Sequence, residues 1–314
     1  MKTRTLCTAA AVLAGMMTSV AMGQQIPTRP QLNTILGSNQ ILEDFESFVV
    51  PINTGMILNV STMDSTTIAN SQGPGLVEPC CKYVDPSGVQ LQWNGNGYQG
   101  LSTKTLLGFG SNPMIEIHYP FPGVHAMGVD VLGFTSFGYQ GAAAFWDANG
   151  NFLGSFPFSV PGGPTPTFIG YQNIGSVGIG MVQIRGSAGW AWSPILDNHG
   201  YGRTGGNLRV TGTCPGPITI SWVGATPSRP MRILFSPTTG NCVVPNGPCA
   251  GTRLGLGPCG GVTVVWSGTT GGLGSGNLNA TVGPAACLRW LQMIVVEPPG
   301  NCPPCTTTNV AQIP

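Results

Sequence analysis

Charged side chains are scarce in this chain: Asp, Glu, Lys and Arg make up 7 % of its 314 residues, where an ordinary globular protein carries about 25 %. Long solvated helices, which need a charged face, are excluded on that ground. The formal charge is +1 and turns slightly negative without Lys2 and Arg4, so no basic stripe exists to neutralise phosphates and nucleic acid is not an expected partner. There is no basic amphipathic helix to lie on a membrane. Beyond the N-terminal segment no apolar run approaches the roughly 18 residues of a spanning helix, so no membrane insertion is expected. Histidine is nearly absent too. His118, His125 and His199 are the three present, none beside a G-x-S-x-G elbow, which argues against a Ser-His-Asp triad.

What the chain has in quantity is turn chemistry. Forty-eight Gly and 28 Pro punctuate it throughout, while 41 % apolar content and seven Trp provide enough surface to collapse. At the N-terminus, Lys2 and Arg4 precede an apolar run from Leu6 to Val20 and a small-residue site at Ala21-Met22-Gly23, the pattern of a signal peptide over 1–23 with the mature chain starting at Gln24. The only cysteine there, Cys7, lies inside the apolar run, so no lipid anchor is expected. The expected compartment is secreted or extracellular. The length that remains suggests two domains.

After an N-terminal extension (24–39), residues 40–203 alternate β-branched or aromatic runs with turn clusters: LEDFESFVV, MILNVSTM, GVQLQWNG, MIEIHYPF, GVDVLGF, AAAFWDANGNFLGSF, TFIGYQ and GMVQIRGS. Eight or more strands at that spacing predict a jelly-roll β-sandwich. Asn149-Gly150 in FWDANGNFLG predicts a hairpin with a type I′ turn. Thr204-Gly205-Gly206 reads as a hinge. Beyond it, over 207–314, NLRVTGT, ITISWVG, MRILFS, VTVVWSG, LNATVG and LRWLQMIVV give the strand number of a smaller immunoglobulin-like β-sandwich. The fold class is therefore all-β.

These motifs carry a resemblance. LEDFESF, GVDVLGF, FWDANGNFLGSF, FIGY and PILDNHGYG resemble the jelly-roll domains of secreted bacterial proteins, many of which accompany a PEP-CTERM sorting tail. GTCPGPITISWVGATP, VVPNGPCAGT, the Trp290-Leu291-Gln292 strand after Cys287 and the final CTTTNVAQIP resemble a C-terminal β-sandwich module of exported proteins of unknown function. The resemblance implies the fold, the compartment and a carbohydrate-binding-like role, and supplies no active site.

Nine of the ten cysteines follow the signal segment, in a compartment where thiols oxidise. Cys80 and Cys81 are adjacent, so either they form a vicinal disulfide or at least one stays free. The other seven, Cys214, Cys242, Cys249, Cys259, Cys287, Cys302 and Cys305, fall in the second domain. Cys214 and Cys287, each preceding a long apolar strand, are expected to bridge its two sheets. Cys302-Pro-Pro-Cys305 has the spacing of a zinc ligand pair, with no second pair to complete four.

Candidate chemistry is sparse. Trp190 and Trp192, two apart on one strand face, suit either a stacking platform for sugar rings or the core. Glu116, His118 and His125 make a metal cluster conceivable, against a solvated face. Glu78 and Asp130 are one carboxyl pair of the kind glycoside hydrolysis needs, with nothing local to mark an acid and a base. Glu43 falls on the apolar parity of ILEDFESF, where a bare carboxylate is costly to bury. With the first and last strands of a jelly roll side by side, Glu43, Asp44 and Asp197 are expected to hold a structural Ca²⁺, the alternative being ordinary hydrogen bonding with Glu43 exposed. The leading functional expectation is a non-enzymatic secreted protein that binds glycan or another extracellular or cell-surface polymer. The alternatives are a hydrolase of extracellular polysaccharide or lipid and a structural component of the cell envelope.

Overall fold

The computed structural model describes residues 23–108, 113–134, 138–173, 177–186, 193–299, 301 and 303–314. In chain order the first domain has β1 (Gln24–Ile26), α1 (Arg29–Leu36), β2 (Ile41–Glu43), β3 (Gly55–Ile57), β4 (Thr62–Asp64), β5 (Lys82–Val84), β6 (Leu91–Asn94), β7 (Thr105–Gly108), β8 (Met114–His118), β9 (Ala126–Leu132), β10 (Tyr139–Asp147), β11 (Phe152–Val160), β12 (Thr167–Gln172), β13 (Ile179–Arg185) and β14 (Ile195–Gly202).

Strands β7 to β14 form a nest of antiparallel pairs: β10 with β11, β9 with β12, β8 with β13 and β7 with β14. Successive pairs fall in opposite sheets, giving the orders β12-β9-β14-β7 and β11-β10-β13-β8 within larger sheets of eight and six strands. A long hairpin rolled up in this way is a jelly roll. Its interior is a single aromatic-rich core that includes Phe45, Phe48, Tyr83, Trp93, Phe145 and Tyr201.

Residues 24–39 belong to this domain and are not an extension. β1 pairs with the edge of β12, and α1 lies on the outer face of the larger sheet, where Leu32 and Leu36 pack with Ile26 and Ala126. This second layer explains why β9 is buried along its whole length. Its approach is close: a Cβ on Gly128 would lie 2.4 Å from the Phe168 ring and 2.9 Å from Leu32.

Two local expectations are corrected. LEDFESFVV is not a continuous strand, because pairing ends at Glu43 and Phe45 adopts a left-handed φ of 58°. The β10–β11 hairpin is present, but Gly150 alone of the pair has positive φ, and Gly150 N–H donates to Asp147 C=O. This is a type I turn closed by a glycine bulge. The Asp147 carboxylate accepts the N–H groups of Asn149 and Asn151, which favours that turn over type I′.

The second domain has β15 (Asn207–Gly212), β16 (Gly216–Val223), β17 (Pro230–Ser236), β18 (Thr238–Val243), β19 (Arg253–Gly257), β20 (Thr263–Thr269), β21 (Gly276–Val282), β22 (Trp290–Val296), β23 (Cys305–Thr307) and β24 (Ala311–Gln312). Sheet β15-β16-β21 faces sheet β20-β17-β22-β23, with Leu208, Ile218, Ile220 and Trp222 of one packed on Met231, Ile233, Met293 and Val295 of the other. The β18–β19 hairpin covers the far side of the larger sheet through Leu254, Leu256 and Ile294. Cys242–Cys259 and Cys249–Cys305 staple this added layer.

Thr204–Gly206 is not a free hinge. A Cβ on Gly205 would lie 2.1 Å from the Thr307 carbonyl oxygen, so the connector is packed against β23. Beside it, the 3₁₀ turn Gly37–Asn39 docks on the same strand: Asn39 Oδ1 accepts Thr307 N–H at 2.6 Å, and Asn39 Nδ2 donates to Thr307 C=O at 2.7 Å. One side-chain amide thus serves as a further strand partner. Asn39→Ala leaves two backbone groups of a buried residue unpaired and is expected to cost roughly 1–3 kcal/mol. Scanning calorimetry of the full chain is the measurement, with earlier and more separated domain transitions expected. An unchanged thermogram would remove Asn39 as the docking residue.

Candidate functional site

Two groups of polar side chains stand out, one sealed in the jelly-roll core and one open at the seam between the domains. The sealed group centres on His199, which is fully buried. Tyr83 Oη lies 2.7 Å from its Nδ1 and Tyr119 Oη 2.8 Å from its Nε2. A neutral imidazole has one donor and one acceptor nitrogen, so one tyrosine accepts from the ring and the other donates to it. Tyr201 stacks on the ring at 4.5 Å. Burial pushes the imidazole down to about 3. Burial also pushes the neighbouring Cys81 thiol up to about 12, which keeps it protonated and unreactive.

Glu43 lies across from His199 in the β2–β14 pair and is buried, so it is not exposed. Burial raises its carboxyl to about 7, against the lowering effect of the Glu78 and Phe45 N–H groups that donate to it. Asp44 accepts Glu46 N–H. Asp197 accepts from Thr103 Oγ1 at 2.6 Å and Asn198 N–H at 2.8 Å, with burial raising it to about 6. The strand at Glu43, β2, does lie beside the last strand, β14, although β1 precedes it in the domain, and these carboxylates are engaged by protein donors. Among the described residues, no three His, Cys, Asp or Glu side chains converge as a metal site.

The other candidates separate. Glu116 Oε2 pairs with His118 Nε2 at 2.9 Å on β8, while His125 Nδ1 contacts Thr204 Oγ1 at 2.8 Å at the domain junction. Glu78 lies beside Glu43, whereas Asp130 is paired with Arg29. Trp190, Trp192 and Cys302 lie outside the described residues. Cys214 and Cys287 are bonded, with a Cα–Cα distance of 5.5 Å, between the loops that lead into β16 and β22. This bridge joins the two sheets at their end and not through the middle of the core. Cys80 is disulfide-bonded and Cys81 is free, which excludes a bond between them.

The open group is a crevice of about 370 Å³ lined by Arg29, Asn33, Gln40 and Asn198 of the first domain and Asn241 and Arg253 of the second, together with Gly37, Ser38 and Leu42. Each side chain is placed by a specific local structure. A bulge interrupts the β14–β9 register between Asp197 and Gly200, where Asn198 takes a left-handed φ of 46°. That bulge aims the Asn198 carbonyl at Arg29 Nη2, 2.6 Å away. Arg29 is further fixed by Asp130 at 2.8 Å and by the Phe168 ring, 5.1 Å beneath its guanidinium carbon. Its Nη1 is buried without a hydrogen-bond partner. Asn241 lies at the register irregularity within β18 and Arg253 opens β19, in the hairpin that the two disulfides fasten down.

Across the 3₁₀ turn lies a second cleft of about 600 Å³, which shares Gly37 and Ser38 with the first. Its other walls include Ile35, Gln292, Asn309 and Val310. Sequence reading missed both clefts, because the lining residues are ordinary Asn, Gln and Arg that only interdomain docking brings together.

No family pattern matches the chain, and no curated protein matches it. A solved structure, a DUF4465 family protein from Bacteroides caccae ATCC 43185, aligns with 53 % of this chain and 100 % of its own at 9 % identity, with a TM-score of 0.34. At that score the likeness adds nothing to the architecture described above. The three disulfides between described cysteines fit an oxidising compartment. No helix among the described residues is long and apolar enough to cross a membrane.

Proposed function

We propose that this protein is a secreted, non-enzymatic binding protein that recognises a glycan or another extracellular polymer at the seam between its two domains. The observation that carries the reading is the unspent donor capacity of the crevice. Asn33, Gln40, Asn198, Asn241 and Arg253 line it, and none of these side chains has a hydrogen-bond partner among the described residues. Side-chain amides that both donate and accept, set around a space within the usual 300–1,000 Å³ of ligand sites, match the hydroxyls of a sugar. The described lining residues include no carboxylate, whereas glycoside hydrolysis uses two flanking the bond. This favours binding over hydrolysis.

A glycan array probed with the purified protein is the test. Retention of at least one glycan without release of reducing sugar is the expected result. Release of reducing sugar would replace binding by hydrolysis, and absence of any retention would remove the glycan reading.

A further inference from the structure

The crevice also carries information about which polymer it takes. Arg253 is exposed and has no ion-pair or hydrogen-bond partner among the described residues. It faces the same space as Arg29, whose Nη2 is committed to Asp130 and Asn198 while Nη1 is not. Asp130 balances Arg29 from behind, and no acidic side chain among the described lining residues balances Arg253. The crevice therefore presents one uncompensated positive charge amid neutral amides, in a chain where charge of any kind is rare. A guanidinium binds a carboxylate through two parallel hydrogen bonds, and an Arg with free donors is suited to that pairing.

Shape adds a second argument. The charged crevice and the neutral cleft lie on either side of one three-residue turn and share two of its residues. The two adjoining spaces differ in character, Arg253 and Arg29 lining one and Ile35, Gln292 and Val310 the other. A chain-like ligand with hydroxyls along its length and a carboxylate at intervals matches that sequence of surfaces.

Resting on the glycan reading above, we infer that the seam takes an acidic polysaccharide, with a uronate carboxylate on Arg253 and neighbouring hydroxyls on the Asn and Gln side chains. Affinity electrophoresis of the full protein tests this with polygalacturonate, alginate and hyaluronate as acidic polymers, dextran and xyloglucan as neutral ones, and highly methyl-esterified pectin as the carboxylate-blocked control. Retardation by at least one acidic polymer is expected, with none by the neutral ones, and blocking the carboxylate is expected to weaken it.

Arg253→Gln, at an exposed and unpaired position that leaves the fold alone, is expected to raise the dissociation constant about tenfold or more, with the difference shrinking at high salt. Asn241→Ala, on the same hairpin, is expected to weaken binding less. Retention by neutral polymers alone, or full affinity in Arg253→Gln, would overturn the acidic ligand while leaving a glycan-binding protein. No retention by any of the six would overturn the acidic ligand, and the glycan array separately decides the wider reading.

Discussion

Lowering the pH from 6.5 to 3 is expected to destabilise the wild-type protein relative to a His199→Gln variant by roughly 3–5 kcal/mol. The cause is the imidazole buried between Tyr83 and Tyr119, whose pKa falls from the ordinary 6.5 to about 3. Within that window the unfolded chain takes up a proton that the folded core refuses, so stability drops as pH falls. Glu43 and Asp197 act in the opposite sense. Burial raises them from 4.5 to about 7 and from 3.8 to about 6, so the folded state holds the extra protons there. The stability they contribute is present in acid and lost as pH rises through those ranges.

In the wild type the two slopes partly cancel and the profile is shallow, whereas the variant shows the carboxylate slope alone, rising toward acid. Gln retains a donor and an acceptor for the two tyrosines, which keeps the core folded. Urea unfolding of both proteins between pH 3.5 and 7.5 reads the difference directly. Parallel curves would mean that His199 is not the group refusing the proton.

The second large effect is expected from the cystine between Cys214 and Cys287, whose sequence separation is 73. Tying a loop of that size restricts the unfolded chain, and on the loop-entropy relation its loss costs about 4 kcal/mol. The same relation gives about 3 kcal/mol for Cys242–Cys259, with a separation of 17. The core that must withstand the loss is small, built from a three-stranded and a five-stranded sheet. Cys214→Ser/Cys287→Ser is therefore expected to unfold at a lower temperature than Cys242→Ser/Cys259→Ser. The reverse order would show that the staple on the β18–β19 layer, and not the inter-sheet bridge, secures the domain.

Strands were legible wherever residues alternate over five or more positions, as in MIEIH of β8 and ITISWV of β16. Gln24–Ile26 was not, because three residues carry no period and become a strand only by meeting the edge of β12. RPQLNTIL was passed over for a related reason: eight residues that bury only Leu32 and Leu36 have little helical signature of their own and depend on the sheet beneath them. The parity argument at Glu43 found a buried carboxylate correctly but not its partners. The strand stops there, and the turn that follows brings the Phe45 and Glu78 N–H groups to it. His199 gave no local sign either, since the two tyrosines on its ring come from β5 and from just beyond β8. The candidate crevice was the least legible feature. Arg29 and Arg253 belong to different domains and are brought together by docking contacts distant in sequence, among them Asn39 on the Thr307 backbone, Ser38 on Thr307 and Gln292, and the connector at Gly205.

β1 closes one edge of the eight-stranded sheet, and Gln24 bonds Gln172 across 148 positions of sequence. Closing so long a loop precedes any reward from the contact, so residues 24–26 are made early and fixed late. Until they arrive, Gly170–Gln172 presents free N–H and C=O groups along the edge of β12, the kind of surface through which strands of separate molecules pair. Self-association through this edge is therefore favoured before β1 docks, and β1 acts as the chain's own cover for Gly170–Gln172.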